Sequence, residues 1–365
     1  MLYREYGQTG KEVSAIGFGG MRFEAVEEID TCVEMMVTAA ESGINYFDTA
    51  PLYFGGKSEI AFGHGLAELR RRDIPYYLST KTFKTTESEV RTELDQQLKR
   101  MKVDHIDFYH IWCITTPENW RQRKRDGVLE AFRKLKEEGL IKHICVSSHL
   151  IGDEIRELLM EGVFEGVLFG YSAYNFASRQ KAFDAVKEHN LGAVVMNPLG
   201  GGLIPRNPDL FSFIRTQEKE TAVEAAIRFL LAHPEITVTL VGYGTNEHVK
   251  ESIQAVEGYR EISRQALQKI KDAAGSKFEG LCTGCQYCDD CPESIPIPKL
   301  MEAYNQKLLR KSDKSLLDQL GMHWGISPDE AARCIECGQC EDACTQHLDI
   351  MNRLKDIVAI ATAAK

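Results

Sequence analysis

The feature that most narrows the fold of this 365-residue chain is a regular alternation running to about residue 257. Short β-rich runs occur at Ala15–Met21, Ile44–Ala50, Tyr76–Lys81, His105–Trp112, Ile141–Ser147, Val167–Tyr174, Ala193–Leu199 and Thr237–Tyr243. Amphipathic or Glu/Lys-rich stretches separate them, among them Ile29–Ser42, Ser88–Met101, Val128–Glu138, Asp153–Glu161, Ser178–His189 and Ala222–Ala232. Parallel strands need long crossovers, usually helices. Eight such units predict a (β/α)8 barrel, a fold of roughly 250 residues. A doubly wound sheet usually has fewer strands, and Gly17-Phe18-Gly19-Gly20 lacks the G-x-G-x-x-G spacing of a dinucleotide turn. The Thr9-Gly10 turn between Tyr3–Tyr6 and Glu12–Val13 predicts a small hairpin ahead of the barrel.

A barrel of this kind carries its chemistry at the C-terminal ends of its strands. The second β run ends at Asp48 and leads to Tyr53; the third ends at Lys81; the fourth contains His110. Together these four side chains can assist the reduction of a carbonyl by a hydride donor. Hydride addition makes an alkoxide that needs a proton, and a tyrosine can give it if its pKa, ordinarily ~10, is lowered. A lysine cation beside the phenol lowers it, and an aspartate keeps that lysine charged. A histidine can hold the carbonyl oxygen. Singly, each residue also has a structural reading: an ion pair, a loop anchor, a core histidine.

Composition changes after Lys277, where Cys, Gly and Pro crowd together. The expected division is a barrel with a helical connector over residues 1–277 and a mostly helical, cysteine-rich domain over 278–365. Eight of the eleven cysteines fall in two runs, Cys282-x2-Cys285-x2-Cys288-x2-Cys291 and Cys334-x2-Cys337-x2-Cys340-x3-Cys344. Zinc sites usually use separated C-x2-C pairs. Unbroken triplets with a trailing fourth cysteine favour [4Fe–4S] clusters, with the trailing residue serving the other cluster. One cluster would take Cys282, Cys285, Cys288 and Cys344, the other Cys334, Cys337, Cys340 and Cys291. The first run ends with a two-residue gap, and the second ends Cys344-Thr345 where a proline is usual. Cys32, Cys113 and Cys145 have no partner spacing.

The segments FDTAPLYFGGKSE, LSTK and DFYH resemble the aldo-keto reductases, over residues 1–257. That family is a (β/α)8 barrel with an Asp/Tyr/Lys/His tetrad and a nicotinamide cofactor, so the resemblance implies Asp48, Tyr53, Lys81 and His110 as catalytic residues. It also implies dinucleotide contacts. Ser147, Ser148 and Asn175 would meet the nicotinamide amide, and Met196 would pack on its ring. Gly200, Gly201 and Gly202 would lie near the pyrophosphate, and Pro198 and Leu199 would also bind the cofactor. Gly242, Gly244, Thr245, His248, Glu251 and Ser252 would line the adenosine end. Gly242 and His248 fall where NADP-preferring relatives often have Lys and Arg. Neutral residues are weak partners for a 2′-phosphate, so NAD is slightly favoured over NADP. The C-terminal part resembles the ferredoxin-like domain fused to a subset of the family, implying two [4Fe–4S] clusters.

Net charge is −10, which disfavours nucleic acid and anionic membranes as partners. No stretch approaches eighteen uninterrupted apolar residues, and the N-terminus lacks the apolar core of a signal peptide. A cytoplasmic setting is expected, where dense cysteines read as metal ligands and not disulfides. The leading functional expectation is an NAD(P)-dependent enzyme interconverting a small carbonyl compound and its alcohol. A flavin- or ferredoxin-coupled redox enzyme, with a ferredoxin or flavoprotein partner, is the alternative; an electron-transfer module on a barrel scaffold is another. Substrate choice would come from Ile114–Arg125 and Pro205–Gln217.

Overall fold

The computed structural model describes residues 1–25, 28–275 and 277–364. Strands β1 (Tyr3–Glu5) and β2 (Glu12–Ser14) form the expected antiparallel hairpin. Eight parallel strands then close a barrel: β3 (Ile16–Gly19), β4 (Tyr46–Asp48), β5 (Tyr77–Thr82), β6 (Ile106–Ile114), β7 (Ile141–Ser148), β8 (Gly166–Gly170), β9 (Gly192–Met196) and β10 (Val238–Gly242). Each falls within or against one of the eight β-rich runs. Sequential neighbours pair all round, and β10 pairs with β3 to close the ring.

The barrel interior is plugged at one end. Tyr6, Tyr46, Phe108, Leu168, Val194, Val238 and Leu240 form a buried cluster. Tyr6 stacks on Phe108 with ring centroids 4.0 Å apart. It fits because β8 and β9 each begin with glycine: a Cβ on Gly166 would lie 2.2 Å from its hydroxyl oxygen, and one on Gly192 2.1 Å from its ring. The hairpin thus supplies a floor at the N-terminal ends of the strands and leaves the C-terminal ends for polar groups.

The surrounding helices follow the period expected of them. Val128–Glu137 buries Val128, Ala131, Phe132 and Leu135, one apolar stripe. Ala222–Leu231 starts with a capping box between Thr221 and Glu224.

The chain divides into two compact units, Met1–Leu199 with Ile214–Ile270, and Gly200–Phe213 with Lys271–Lys365. The composition shift falls at residues 277 and 278, close to the break between Ile270 and Lys271. Inclusion of Gly200–Phe213 in the second unit has no compositional signal. This unit packs the helices Ile297–Arg310, Asp313–Asp318 and Ile350–Ala363 around Leu300, Met301, Leu316, Leu320, Ile350, Leu354 and Ile357.

Candidate active site and cysteine sites

Strand β4 ends on Asp48, and β5 carries Lys81 beside it. Lys81 Nζ donates to Asp48 Oδ1 and to the Thr49 carbonyl, both at 2.7 Å. Ser79 Oγ donates to Asp48 Oδ2 at 2.7 Å. Both charged side chains are essentially sealed from solvent. A buried charge is tolerated when it is paired and hydrogen-bonded, as here. Burial lowers the Lys81 pKa, and the adjacent Asp48 charge pulls it back up. Lys81 Nζ lies 5.1 Å from the centroid of the Tyr53 ring. Tyr53 opens a short turn, Tyr53–Gly56. Its loop is pinned by a 2.8 Å bond between Thr49 Oγ1 and Ser58 Oγ, and Ser58 Oγ donates to the Gly20 carbonyl. Asp48, Lys81 and Tyr53 are therefore brought together.

A buried polar brace backs Lys81. Gln97 Nε2 donates to the Lys81 carbonyl at 2.9 Å and to Glu59 Oε1 at 3.0 Å. Tyr109 donates to Gln97 Oε1, Thr80 donates to Glu59, and Arg100 pairs with Glu59 at 2.6 Å. Burial raises the Glu59 pKa against the pull of Arg100. Sequence reasoning missed this brace. Its signal was Gln97, a polar residue in the buried stripe Val90, Leu94, Gln97, Met101 of one helix.

His110 lies opposite Lys81 in the β5–β6 register and is fully buried. Neither ring nitrogen has a hydrogen-bond partner among the described residues. Burial, helped by the Lys81 charge, pushes its pKa down to about 3. The imidazole is neutral at ordinary pH. The ring beside Tyr53 is Trp112, edge-on with centroids 5.7 Å apart. Trp112 also stacks on Phe83 at 4.0 Å and accepts a hydrogen bond from Arg123 through its carbonyl. Residues two apart share a strand face, so Trp112 stands one step nearer the mouth than His110. The register shifts between Ile111 and Ile114, where Cys113 takes a left-handed φ of 61°. Such a bulge re-aims side chains at a barrel rim. Trp112 carried no sequence signal beyond its place after His110.

The His110 burial has a pH consequence. Between pH 6.5 and about 3 the unfolded chain holds a proton that the folded histidine refuses. The unfolded state binds more protons there, so stability falls as pH drops below 6.5. We expect His110→Gln to flatten this acid limb, read as the urea midpoint at pH 7 and pH 5. A midpoint that falls as steeply as in the parent protein would place the acid sensitivity elsewhere.

The expected dinucleotide residues lie at or just beyond strand ends. Ser147 and Ser148 close β7 and are buried; Ser148 Oγ accepts from Leu150 N–H at 3.2 Å. Asn175, after β8, accepts from Arg179 at 3.1 Å. Met196 ends β9 and packs on the floor cluster. Asn197 turns the chain with φ 58°, leading through Pro198 and Leu199 to Gly200, Gly201 and Gly202, with φ of 63°, 64° and 93°. Left-handed backbone at three successive residues is what glycine permits, and it opens amides to an incoming anion.

Gly242 ends β10, and a Cβ there would lie 2.7 Å from Arg22 Cγ. Arg22 was not foreseen as a neighbour of this segment. Gly244 N–H points to His248 Nδ1 at 3.4 Å, and Thr245 caps the helix Asn246–Glu257. Glu251 accepts from Thr221 at 3.0 Å. The buried Ser252 hydroxyl shares a bond with Tyr243 and donates to the Val249 carbonyl, each at 2.8 Å. Glu251 and Ser252 are thus engaged within the protein.

The cysteines gather across the two runs. Cys291, Cys334, Cys337 and Cys340 line one pocket, with Ile295, Ile297 and Met351. In the other group, burial and the neighbouring Cys285 and Cys344 push Cys282 up to about 12. Cys288 is raised by burial and by Cys285, Cys282 and Cys344. Thiols held protonated in this way become thiolates when a metal takes the proton's place. Backbone N–H groups of Gly284, Glu336 and Leu348 point at the sulfurs of Cys282, Cys334 and Cys344, each at 3.4 Å. Such bonds to sulfur are what cluster thiolates use. Thr345, which stands where a proline was expected, is buried and lies 3.4 Å from Cys285 Sγ. Among the described residues, no three His, Cys, Asp or Glu side chains converge on a single-ion site. A cube takes each thiolate on a different iron, so its ligands need only surround a common space. The residues present fit that group.

A closed parallel barrel with a buried Lys–Asp pair beside a tyrosine at its mouth, joined to a cysteine-rich helical unit, is a redox enzyme of the reductase type. The chain belongs to the aldo/keto reductase family, whose profile matches residues 15–274. Residues 281–348 match the 4Fe-4S dicluster domain. Aldo-keto reductase YhdN of Bacillus subtilis is 30% identical over 333 residues, 76% of this chain and 97% of that protein. L-galactose dehydrogenase of Arabidopsis thaliana is 29% identical, covering 69% of this chain and 87% of that protein. The NADH-specific methylglyoxal reductase of Escherichia coli is 26% identical over 52% of this chain and 63% of its own length. Among solved structures, the holo form of aldo-keto reductase AKR11C1 from Bacillus halodurans superposes with a TM-score of 0.66 at 26% identity. It covers 76% of this chain and 97% of that one. No helix of the described residues is long and apolar enough to cross a membrane.

Proposed function

We propose that this oxidoreductase interconverts a small carbonyl compound and its alcohol, with NAD as the favoured dinucleotide and Tyr53 as the acid–base residue. The observation that carries the reading is the sealed Lys81–Asp48 pair, with Lys81 Nζ 5.1 Å from the Tyr53 ring. A bound reduced nicotinamide would supply the hydride. The rest of the chemistry is the chain's own. The Tyr53 hydroxyl gives its proton to the substrate oxygen, and the Lys81 cation stabilises the phenolate left behind. Asp48 keeps Lys81 charged against the cost of burial, and the Gln97–Glu59 brace fixes its backbone. His110, neutral two residues deeper than Trp112, offers one donor and one acceptor. The donor suits a polarised carbonyl oxygen. Trp112 and Phe83 form an aromatic wall beside Tyr53, which favours substrates with a flat or apolar portion.

Ser147, Ser148 and Asn175 would hold the nicotinamide end, Met196 its ring, and the glycines after β9 the pyrophosphate. Thr245 and the helix it caps suit an adenosine phosphate. Gly242 brings no cation of its own to the place where NADP-preferring relatives often have one, which supports NAD, as does the NADH specificity named for the Escherichia coli relative. The two cysteine sets would hold two [4Fe–4S] clusters. Cluster electrons move singly and hydride moves two together, so the barrel set can work without them. The test is steady-state oxidation of NADH and NADPH with a panel of aldehydes and ketones. Turnover with NADH at a kcat/KM above that with NADPH is expected. Preference for NADPH would sink the NAD assignment, and no turnover with either would sink the carbonyl reading.

A further inference from the structure

The second unit contains a segment of the barrel's own chain, the Gly200–Phe213 loop that leaves the end of β9. Its anchor is the helix Ile297–Arg310. Arg206 pairs with Glu302 on that helix. The same guanidinium donates to the carbonyls of Gly202 at 3.0 Å and Gly201 at 3.4 Å, bracing the triple-glycine turn. One helical turn pair further on, Arg310 donates to Asn207 Oδ1 at 3.1 Å and lies 3.9 Å from Asp209. Asn207 is itself buried and donates to the Leu203 carbonyl. Beyond it, Phe211 and Phe213 stack on Phe278 with centroids 4.8 and 5.5 Å apart.

The same helix grips the first cysteine run. Asn305, buried, donates from Nδ2 to the Cys282 carbonyl and accepts from the Cys282 N–H at Oδ1, both at 2.8 Å. Glu302 and Asn305 are three residues apart and so share a helix face. One rigid element is therefore bonded at one residue to the first ligand of a cysteine set and at two others to the loop after β9. A side chain bonded to both backbone groups of Cys282 is a specific device. A core position that only filled space would be apolar.

We propose that Asn305, Glu302 and Arg310 are positioning residues through which a metal cluster on Cys282, Cys285, Cys288 and Cys344 fixes the Gly200–Phe213 loop that follows β9. This rests on the [4Fe–4S] reading above. The cluster's contribution to catalysis is then mechanical: it orders a loop, and no electron need pass to the barrel. Without the cluster, Cys282 and the segment from Phe278 lose their fixed end, Asn305 loses a fixed partner, and the loop's grip loosens.

Hydrogen exchange on the full-length protein tests this, in parallel with iron and sulfide counts. Four samples are compared: anaerobically purified protein, the same protein stripped by chelator and oxidant, and the Glu302→Gln and Arg310→Ala variants with clusters retained. Stripping should speed exchange in Gly200–Phe213 at least ~10-fold, while amides of Ile141–Ser148 keep their protection. The cluster-loaded variants should show the same faster exchange, and stripping them should add little in that loop, as expected for residues acting in series. Iron-loaded protein whose Gly200–Phe213 exchange is indifferent to stripping overturns the proposal and leaves the cluster reading intact. Protein that never holds iron and sulfide under anaerobic purification removes the cluster reading, and the proposal with it.

Discussion

Tyr53→Phe is expected to lower kcat/KM for carbonyl reduction by about 10²–10⁴-fold, the usual worth of a positioned general acid, with NADH affinity unchanged. Phenylalanine keeps the ring, so the edge contact with Trp112 and the approach of Lys81 to the ring face both survive. Only the proton and its oxygen are lost. The loss should fall on kcat, because the hydroxyl's contribution grows as the alkoxide forms. A fall in KM-linked binding with intact kcat would instead make Tyr53 a substrate contact. Turnover within a factor of about three of the parent would remove Tyr53 as proton donor, since general acid catalysis is worth far more than that.

The second large effect concerns iron content. Protein with two cubes should carry about eight irons per chain, and loss of one cube should leave about four. Single cysteine substitutions cannot show which run supplies which cluster, but doubles can. Cys344 lies in the second run, yet its neighbours are Cys282, Cys285 and Cys288. Cys291 lies in the first run, yet it lines a pocket with Cys334, Cys337 and Cys340. Cys285→Ala with Cys344→Ala should therefore damage one site and keep about four irons; Cys337→Ala with Cys344→Ala should damage both and keep almost none. If each run served its own cluster, the two results would be exchanged. Because metal binding and folding are coupled, the iron-poor double variant should also lose cooperative unfolding of its C-terminal unit.

The barrel was legible because its signal is distributed. Eight β-rich runs with helical spacers leave few topologies, and all eight strands lie where the runs are. Asp48, Tyr53 and Lys81 were legible because each sits at or just after a strand end, where barrel geometry makes polar residues converge. The two cysteine runs were legible from spacing, and the gathering of Cys291 with Cys334, Cys337 and Cys340 matches the exchange of trailing residues that the spacing suggested. Trp112 was not. His110 and Trp112 lie on one strand face, and sequence order cannot say which of two stacked layers meets a tyrosine arriving from another loop. The Glu59–Gln97–Tyr109 brace was hidden for a similar reason, since its members come from two helices and a strand.

By itself, the sequence determined the elements, their order, the chemistry of the reacting groups and the kind of metal group the cysteines suit. These follow from local periodicity, strand-end position and ligand spacing, all properties of neighbouring residues. Tertiary structure alone decided which groups meet. It sealed Lys81 against Asp48, set Trp112 beside Tyr53, and gave the Gly200–Phe213 loop to the cysteine-rich unit. The physical reason is that burial and pairing depend on contacts between residues tens to a hundred positions apart, such as Asn207 with Arg310. No local pattern encodes that distance.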